Sequence, residues 1–76
     1  MTSTNSDRAV RATHALAYYV QKQLHEAYNL ASREENIIDL LTDLQHLASA
    51  ENLDFKLCLR LADTNFEAER GEGTDE

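Results

Sequence analysis

Hydrophobic residues recur along the chain at spacings of three and four, which is typical of amphipathic helices. Proline is absent and glycine occurs only at Gly71 and Gly73, so helix ends must be inferred from capping residues. The pattern predicts an all-α, three-helix domain with helices at about 6–31, 33–50 and 55–70, arranged as a helical hairpin followed by a third helix. Residues 6–70 form this single domain, between a flexible N-terminus, 1–5, and a disordered acidic tail, 71–76.

Capping residues set the expected ends of the first two helices. Asn5 or Ser6 can cap the first helix, and one stripe of that helix carries Ala9, Thr13, Leu16, Ala17, Val20, Leu24, Ala27, Tyr28 and Ala31. The run from Ser32 to Glu35 matches a capping box. Either the chain bends there and a second helix begins, or one helix continues. We favour the bend, because three separate helices can close on a core and one rod cannot.

The second helix presents one apolar face, formed by Ile37, Leu40, Leu41, Leu44, Leu47 and Ala48.

The third helix, by contrast, has two apolar faces. Asp54 is a suitable N-cap for the third helix, whose core face carries Phe55, Cys58, Leu59, Ala62 and Phe66. About 140° round the helix lies a further apolar edge, Leu57, Leu61 and Ala68. This edge either forms the interface of a homodimer or of a partner complex, or it wedges into the same small core.

Length and charge restrict the partners. A chain of 76 residues is near the lower size for a self-sufficient core, so oligomerisation would add useful burial. The net charge is −7, and it is uneven: through Arg33 there are four cations and two acids, whereas the remainder has three cations and twelve acids. Such a chain is unsuited to direct nucleic-acid binding, which needs cationic side chains. A basic protein partner fits better.

Location follows from the single cysteine and from the absence of apolar runs. Cys58 is the only cysteine, which excludes an internal disulfide framework and fits a reducing compartment. The N-terminal segment lacks the apolar core of a signal peptide, and no stretch approaches the roughly 20 apolar residues that span a bilayer. We expect a cytoplasmic protein that does not cross a membrane.

The polar side of the second helix carries acidic residues and a histidine at regular intervals. Its members fall at intervals of four, four and three, and therefore share one face: Glu35, Asp39, Asp43 and His46. With ligands from a facing helix, this strip could hold Mg²⁺ or Mn²⁺. The alternative is a solvated or partner-facing acidic strip, in which case no cofactor is bound.

The polar side of the first helix complements that strip. It carries basic and aromatic side chains, namely Arg11, His14, Tyr18, Lys22 and His25. A basic strip with an exposed aromatic ring is a suitable recognition face for an acidic surface. Glycine-rich phosphate loops and Ser/His/Asp arrangements are missing from the sequence, so we expect no catalytic residues.

Residues 35–69 resemble known proteins in two ways. The patterns DLLxDLxHL, LDF and F-E-x-E are similar to those of short uncharacterised helical proteins encoded on proteobacterial plasmids, phages and integrative elements; this resemblance implies a helical fold and no activity. The segment also resembles the C-terminal part of MazG-like nucleotide pyrophosphohydrolases, with Asp39 as the aspartate of their E-x-x-D pair. Asn36 stands where that pair has glutamate, and the first helix lacks the family's E-x-x-E pair.

These observations favour a non-enzymatic accessory protein that acts through self-association and protein partner binding. Two alternatives remain. One is a degenerate or divergent MazG-like hydrolase that uses Mg²⁺ or Mn²⁺, and the other is an acidic inhibitor that imitates DNA and blocks a nucleic-acid-binding enzyme.

Overall fold

A computed structural model describes residues 4–72, and within this range the chain forms three α-helices and no strands. Helix α1 spans Asn5–Tyr18 and continues into a π-helical turn, Tyr19–Gln23. A 3₁₀ turn, Leu30–Ser32, leads into α2, Arg33–Ala50, and α3 spans Phe55–Glu72. The predicted all-α, three-helix class is confirmed. Within the described range, no helix is both long and apolar enough to cross a membrane.

The start of α1 is fixed one residue earlier than the sequence suggested. The N-cap is Thr4, rather than the predicted Asn5 or Ser6. Its hydroxyl accepts a hydrogen bond from the Asp7 backbone N–H at 3.0 Å, and the Asp7 carboxylate accepts one from the Thr4 N–H at 3.3 Å. This reciprocal capping box satisfies two backbone donors that the first turn would otherwise leave unpaired. Asn5 is therefore free to make a long-range contact.

The prediction that the first helix runs to about Ala31 is wrong, because helical structure ends at Gln23. The last turn widens into a π-helical turn, in which the Leu24 N–H donates to the Tyr19 carbonyl at 3.1 Å. His25 then adopts a left-handed backbone conformation with φ 58°, a region in which histidine is enriched among non-glycine residues. The Glu26 N–H closes the end by donating to the Val20 carbonyl at 3.0 Å.

Helix α2 occupies the predicted range, but the predicted capping box does not form. The Ser32 side chain makes no capping hydrogen bond. Instead, the Asn29 side chain accepts from the Ala31 N–H at 2.8 Å, and the Asn29 carbonyl accepts from the Ser32 N–H at 2.9 Å. The capping signal therefore lies three residues earlier, at the start of the 3₁₀ turn.

The end of α2 is a Schellman motif built around Asn52. The Leu53 N–H donates to the Ala48 carbonyl at 2.8 Å, and the Asn52 N–H donates to the Ser49 carbonyl at 3.3 Å. These bonds require a left-handed residue between them, and Asn52 has φ 58°. The tight reversal lets α3 begin at Phe55.

We expect Asn52→Ala to destabilise the fold by about 1 kcal/mol, because alanine pays the full steric cost of the left-handed conformation. Asn52→Gly should be neutral or stabilising, since glycine adopts this conformation without a Cβ clash. Chemical denaturation of the two variants beside the wild type checks the ranking. Equal stability of the two variants would contradict the motif.

Helix α3 begins as predicted and ends slightly later. The Asp54 carboxylate accepts a hydrogen bond from the Leu57 N–H at 3.0 Å, which is the expected N-cap contact. The helix continues to Glu72, so the first two residues of the predicted disordered tail belong to it. Residues 1–3 and 73–76, which complete the predicted flexible termini, lie outside the described residues.

Polar contacts join the start of α1 to the end of α3. The Asn5 amide donates to the Glu69 carbonyl at 3.2 Å, and the Arg8 Nε lies 3.6 Å from the Glu69 carboxylate. Arg8 also donates to the Asn5 side chain at 2.6 Å. The first and third helices are thus held together at one end by charge and hydrogen bonding.

The apolar core is small. Among the described residues, the buried apolar side chains are Leu16, Val20 and Ala48, and Val20 is the most enclosed at 1% exposure. The one buried polar residue in this range is Asn36. Most of the predicted core positions, including the whole apolar face of α3, keep contact with solvent. Helical order is therefore achieved with much of the apolar surface left uncovered.

Candidate interaction surface

A cleft of about 450 Å³ lies between α1 and α2. Leu16 lies on its α1 side, and Ile37, Leu41 and Leu44 on its α2 side are 40–48% exposed. The cleft contains no acidic residue, and its one charged residue is Arg33. The full lining is Ala9, Ala12, Thr13, Leu16, Tyr28, Arg33, Ile37, Leu40, Leu41 and Leu44.

Two further hollows each share one lining residue with the cleft. Leu44 also lines a hollow of about 230 Å³ between α2 and α3, together with Leu47, Ala48, Leu53, Phe55 and Cys58. Ala9 also lines a hollow of about 410 Å³ between α1 and α3, beside Asn5, Arg8, Phe66, Glu69 and Arg70. The three helices thus leave open space at each of their junctions, and the cleft is the most voluminous of these three spaces.

The predicted association edge lies on the outer side of α3. Leu57 and Leu61 are 37% and 52% exposed, and Ala68 is exposed as well. The edge therefore does not wedge into the core of the single chain. The core face predicted for α3 is exposed to a similar degree, with Leu59 at 44% and Phe66 at 56%. Exposure therefore does not distinguish the two faces, and the role of the edge as an interface stays a prediction.

The predicted acidic strip of α2 is solvent-accessible along its length. Glu35, Asp39, Asp43 and His46 are all exposed. Among residues 4–72, no group of three or more His, Cys, Asp or Glu side chains is arranged so that it could hold a metal ion. The geometry gives no support to the Mg²⁺ or Mn²⁺ site that the spacing suggested.

One member of the acidic strip has a structural partner. The Tyr19 hydroxyl donates a hydrogen bond to the Asp43 carboxylate, which links the π-helical turn to the middle of α2. This bond to Asp43, followed by desolvation and by the charges of Asp43, Asp39 and Glu26, raises the pKa of Tyr19 from 10.0 to about 12. A negative phenolate beside these carboxylates would be repelled, so the fold favours the neutral phenol.

We expect one of the three tyrosines to ionise only near pH 12. Since the pKa of Tyr19 is raised in the folded state, its stabilising contribution is complete below pH 10 and is lost as the pH rises from 10 towards 12. Ultraviolet titration of phenolate absorbance measures this, and Asp43→Asn should move the late ionisation to lower pH. A titration curve that Asp43→Asn leaves unchanged would contradict the contact.

The predicted recognition strip is interrupted. Arg11, His14 and Tyr18 are exposed on α1, and Lys22 is exposed in the π-helical turn. His25 is exposed too, but it lies beyond the helix in the left-handed region. The five residues were expected on one regular helix, and the early helix end separates His25 from the others.

Comparisons with protein-family models, with curated proteins and with solved structures found no significant match to this chain.

Proposed function

We propose that the chain is a non-enzymatic interaction protein that self-associates and presents charged faces to a protein partner in the cytoplasm. The observation that carries this proposal is the apolar surface that the three helices leave uncovered.

The total accessible surface is larger than a compact monomer needs. A folded monomer of 8.6 kDa is expected to expose about 4,700 Å², whereas this chain exposes 6260 Å². Counting residues 1–3 and 73–76 as fully exposed extended chain assigns them about 1,100 Å² at most. The remaining area of about 5,200 Å² exceeds the roughly 4,400 Å² expected for a folded monomer the size of residues 4–72 by about 800 Å². One partner contributes about this much to a standard protein interface.

Many large apolar side chains contribute to the exposed surface. Thirteen large apolar or aromatic side chains among residues 4–72 are 37–63% exposed, against three buried apolar residues. Exposed apolar patches larger than a few hundred Å² mark interaction sites in soluble proteins. Covering such a patch removes apolar area from water, which at about 25 cal/mol per Å² is the main favourable contribution to association.

The charged faces suit a partner of opposite charge. Glu35, Asp39 and Asp43 lie on the side of α2 away from the cleft, and all three are exposed. A basic protein could pair with this strip, and the pairing would weaken at high salt because the charges are exposed and screened. The acidic strip is thus separate from the apolar surface, and the two can act independently.

Energy transfer between labelled chains tests self-association. Two preparations are labelled at the N-terminal amine, one with a donor fluorophore and one with an acceptor. Mixing should produce energy transfer that excess unlabelled chain abolishes and that an equal concentration of an unrelated acidic protein leaves unchanged. Absence of transfer at every concentration would overturn self-association.

A further inference from the structure

We infer that a second copy of this chain fills the α1–α2 cleft, so that the α1–α2 pairs of two copies cover each other and four helices enclose one shared core. This inference rests on the proposed self-association and specifies its surface. It moves the dimer contact from the outer edge of α3, where the sequence placed it, to the surface between α1 and α2.

The size and lining of the cleft set the kind of occupant. An apolar cavity of about 150 Å³ holds a molecule the size of benzene, so a cleft of about 450 Å³ has room for several large side chains. Its lining offers a small number of polar groups, among them Thr13 and Tyr28. Apolar side chains on a helix satisfy such a lining better than a polar ligand or water does.

The partly buried apolar side chains along the cleft favour a second copy of the same chain as the occupant. Leu16 is already buried at the α1 side of the cleft, while Ile37, Leu41 and Leu44 on α2 stay 40–48% exposed. Interfaces of permanent homodimers resemble a domain core cut in half. A two-fold arrangement brings the same side chains together from both copies. The surplus of about 800 Å² over residues 4–72 as a whole is comparable with one side of a standard interface.

The distribution of charge favours the same surface. Two chains of net charge −7 repel each other, and the repulsion is smallest where acidic side chains are absent. The lining of the cleft contains none, and its one charged residue, Arg33, is positive. The opposite face of α2, by contrast, would bring Glu35, Asp39 and Asp43 of both copies together.

A matched pair of variants distinguishes the cleft from the outer edge. Leu41→Glu and Leu61→Glu make the same substitution at two exposed leucines. Leu41 lies in the cleft with 40% of its surface exposed, and Leu61 lies on the outer edge of α3 with 52% exposed. We expect Leu41→Glu to raise the dimer dissociation constant at least about 30-fold, as a central apolar contact does when a charge replaces it. Leu61→Glu should change it by less than about threefold. Sedimentation velocity over a dilution series measures both.

Thiol accessibility gives a second test that does not need a disrupted variant. Leu41→Cys and Leu61→Cys are each made together with Cys58→Ser, so that each protein has one thiol. The thiol at position 41 should react with a thiol reagent about tenfold more slowly at high protein concentration than at low, because association covers it. The thiol at position 61 should react equally fast at both concentrations.

The outcomes separate the inference from the proposed function. Dimers that survive Leu41→Glu but dissociate with Leu61→Glu, or protection at position 61 rather than at position 41, would overturn the cleft assignment and leave self-association intact. A wild type that stays monomeric at every concentration would overturn both.

Discussion

Val20→Asp should abolish the folded state. Val20 is 1% exposed and lies in the π-helical turn whose end is closed by the Glu26 N–H on the Val20 carbonyl. An aspartate there would bury a carboxylate without a partner, which costs several kcal/mol. A chain of this size has about 5 kcal/mol of stability or less to lose.

The matched control is Val10→Asp, the same substitution on α1 at a position that is 54% exposed. It should cost less than about 1 kcal/mol, mainly through helix propensity. Far-ultraviolet circular dichroism and thermal melting compare the two variants. If Val20→Asp melted at the same temperature as Val10→Asp, burial of Val20 would not contribute to the stability of the fold.

Thermal stability should rise with protein concentration. If two copies share a core, association stabilises the folded state by mass action, by about 2.7 kcal/mol when the free partner is at a hundred times its dissociation constant. For a domain of this length, each kcal/mol raises the melting midpoint by about 4–8 °C. Because self-association consumes its own free partner, a roughly hundredfold rise in total protein contributes about half of that per chain, about 1.3 kcal/mol. Scanning calorimetry over such a range should therefore show a rise of about 5–10 °C in the midpoint.

Two controls assign that rise to the cleft. Leu41→Glu should melt at a midpoint that is independent of concentration, because it removes the contact between copies. Added salt should leave the wild-type midpoint unchanged or raise it, since salt screens the repulsion between two chains of charge −7. A midpoint that falls with added salt would instead indicate that attraction between opposite charges, either within the chain, as between Arg8 and Glu69, or between copies, outweighs this repulsion.

The regular parts of the fold could be predicted from the spacing of apolar residues and from local caps. The range of α2 follows from its apolar spacing, although the predicted Ser32 cap does not form, and the Asp54 cap of α3 follows from a side chain three residues from its partner. The end of α1 does not. The chain has no proline or glycine before Gly71, and the reversal uses a histidine, His25, in the left-handed region. Nothing local distinguishes that histidine from one inside a helix.

The cleft could be predicted only in part. Apolar spacing identified Leu16 of α1 and Ile37, Leu41 and Leu44 of α2 as inward-facing, and the structure places all four along the cleft. Spacing cannot give the distance between two helices, and that distance decides whether such side chains bury each other or line an open cleft. The Tyr19–Asp43 hydrogen bond was missed for the same reason, since it joins residues that meet only after the chain reverses.

The most direct test of the central claim is the mass of the wild-type chain by sedimentation equilibrium at several protein concentrations. Self-association through the uncovered apolar surface requires a mass that rises with concentration towards twice the 8.6 kDa of one chain. A mass that stays at 8.6 kDa throughout would contradict it.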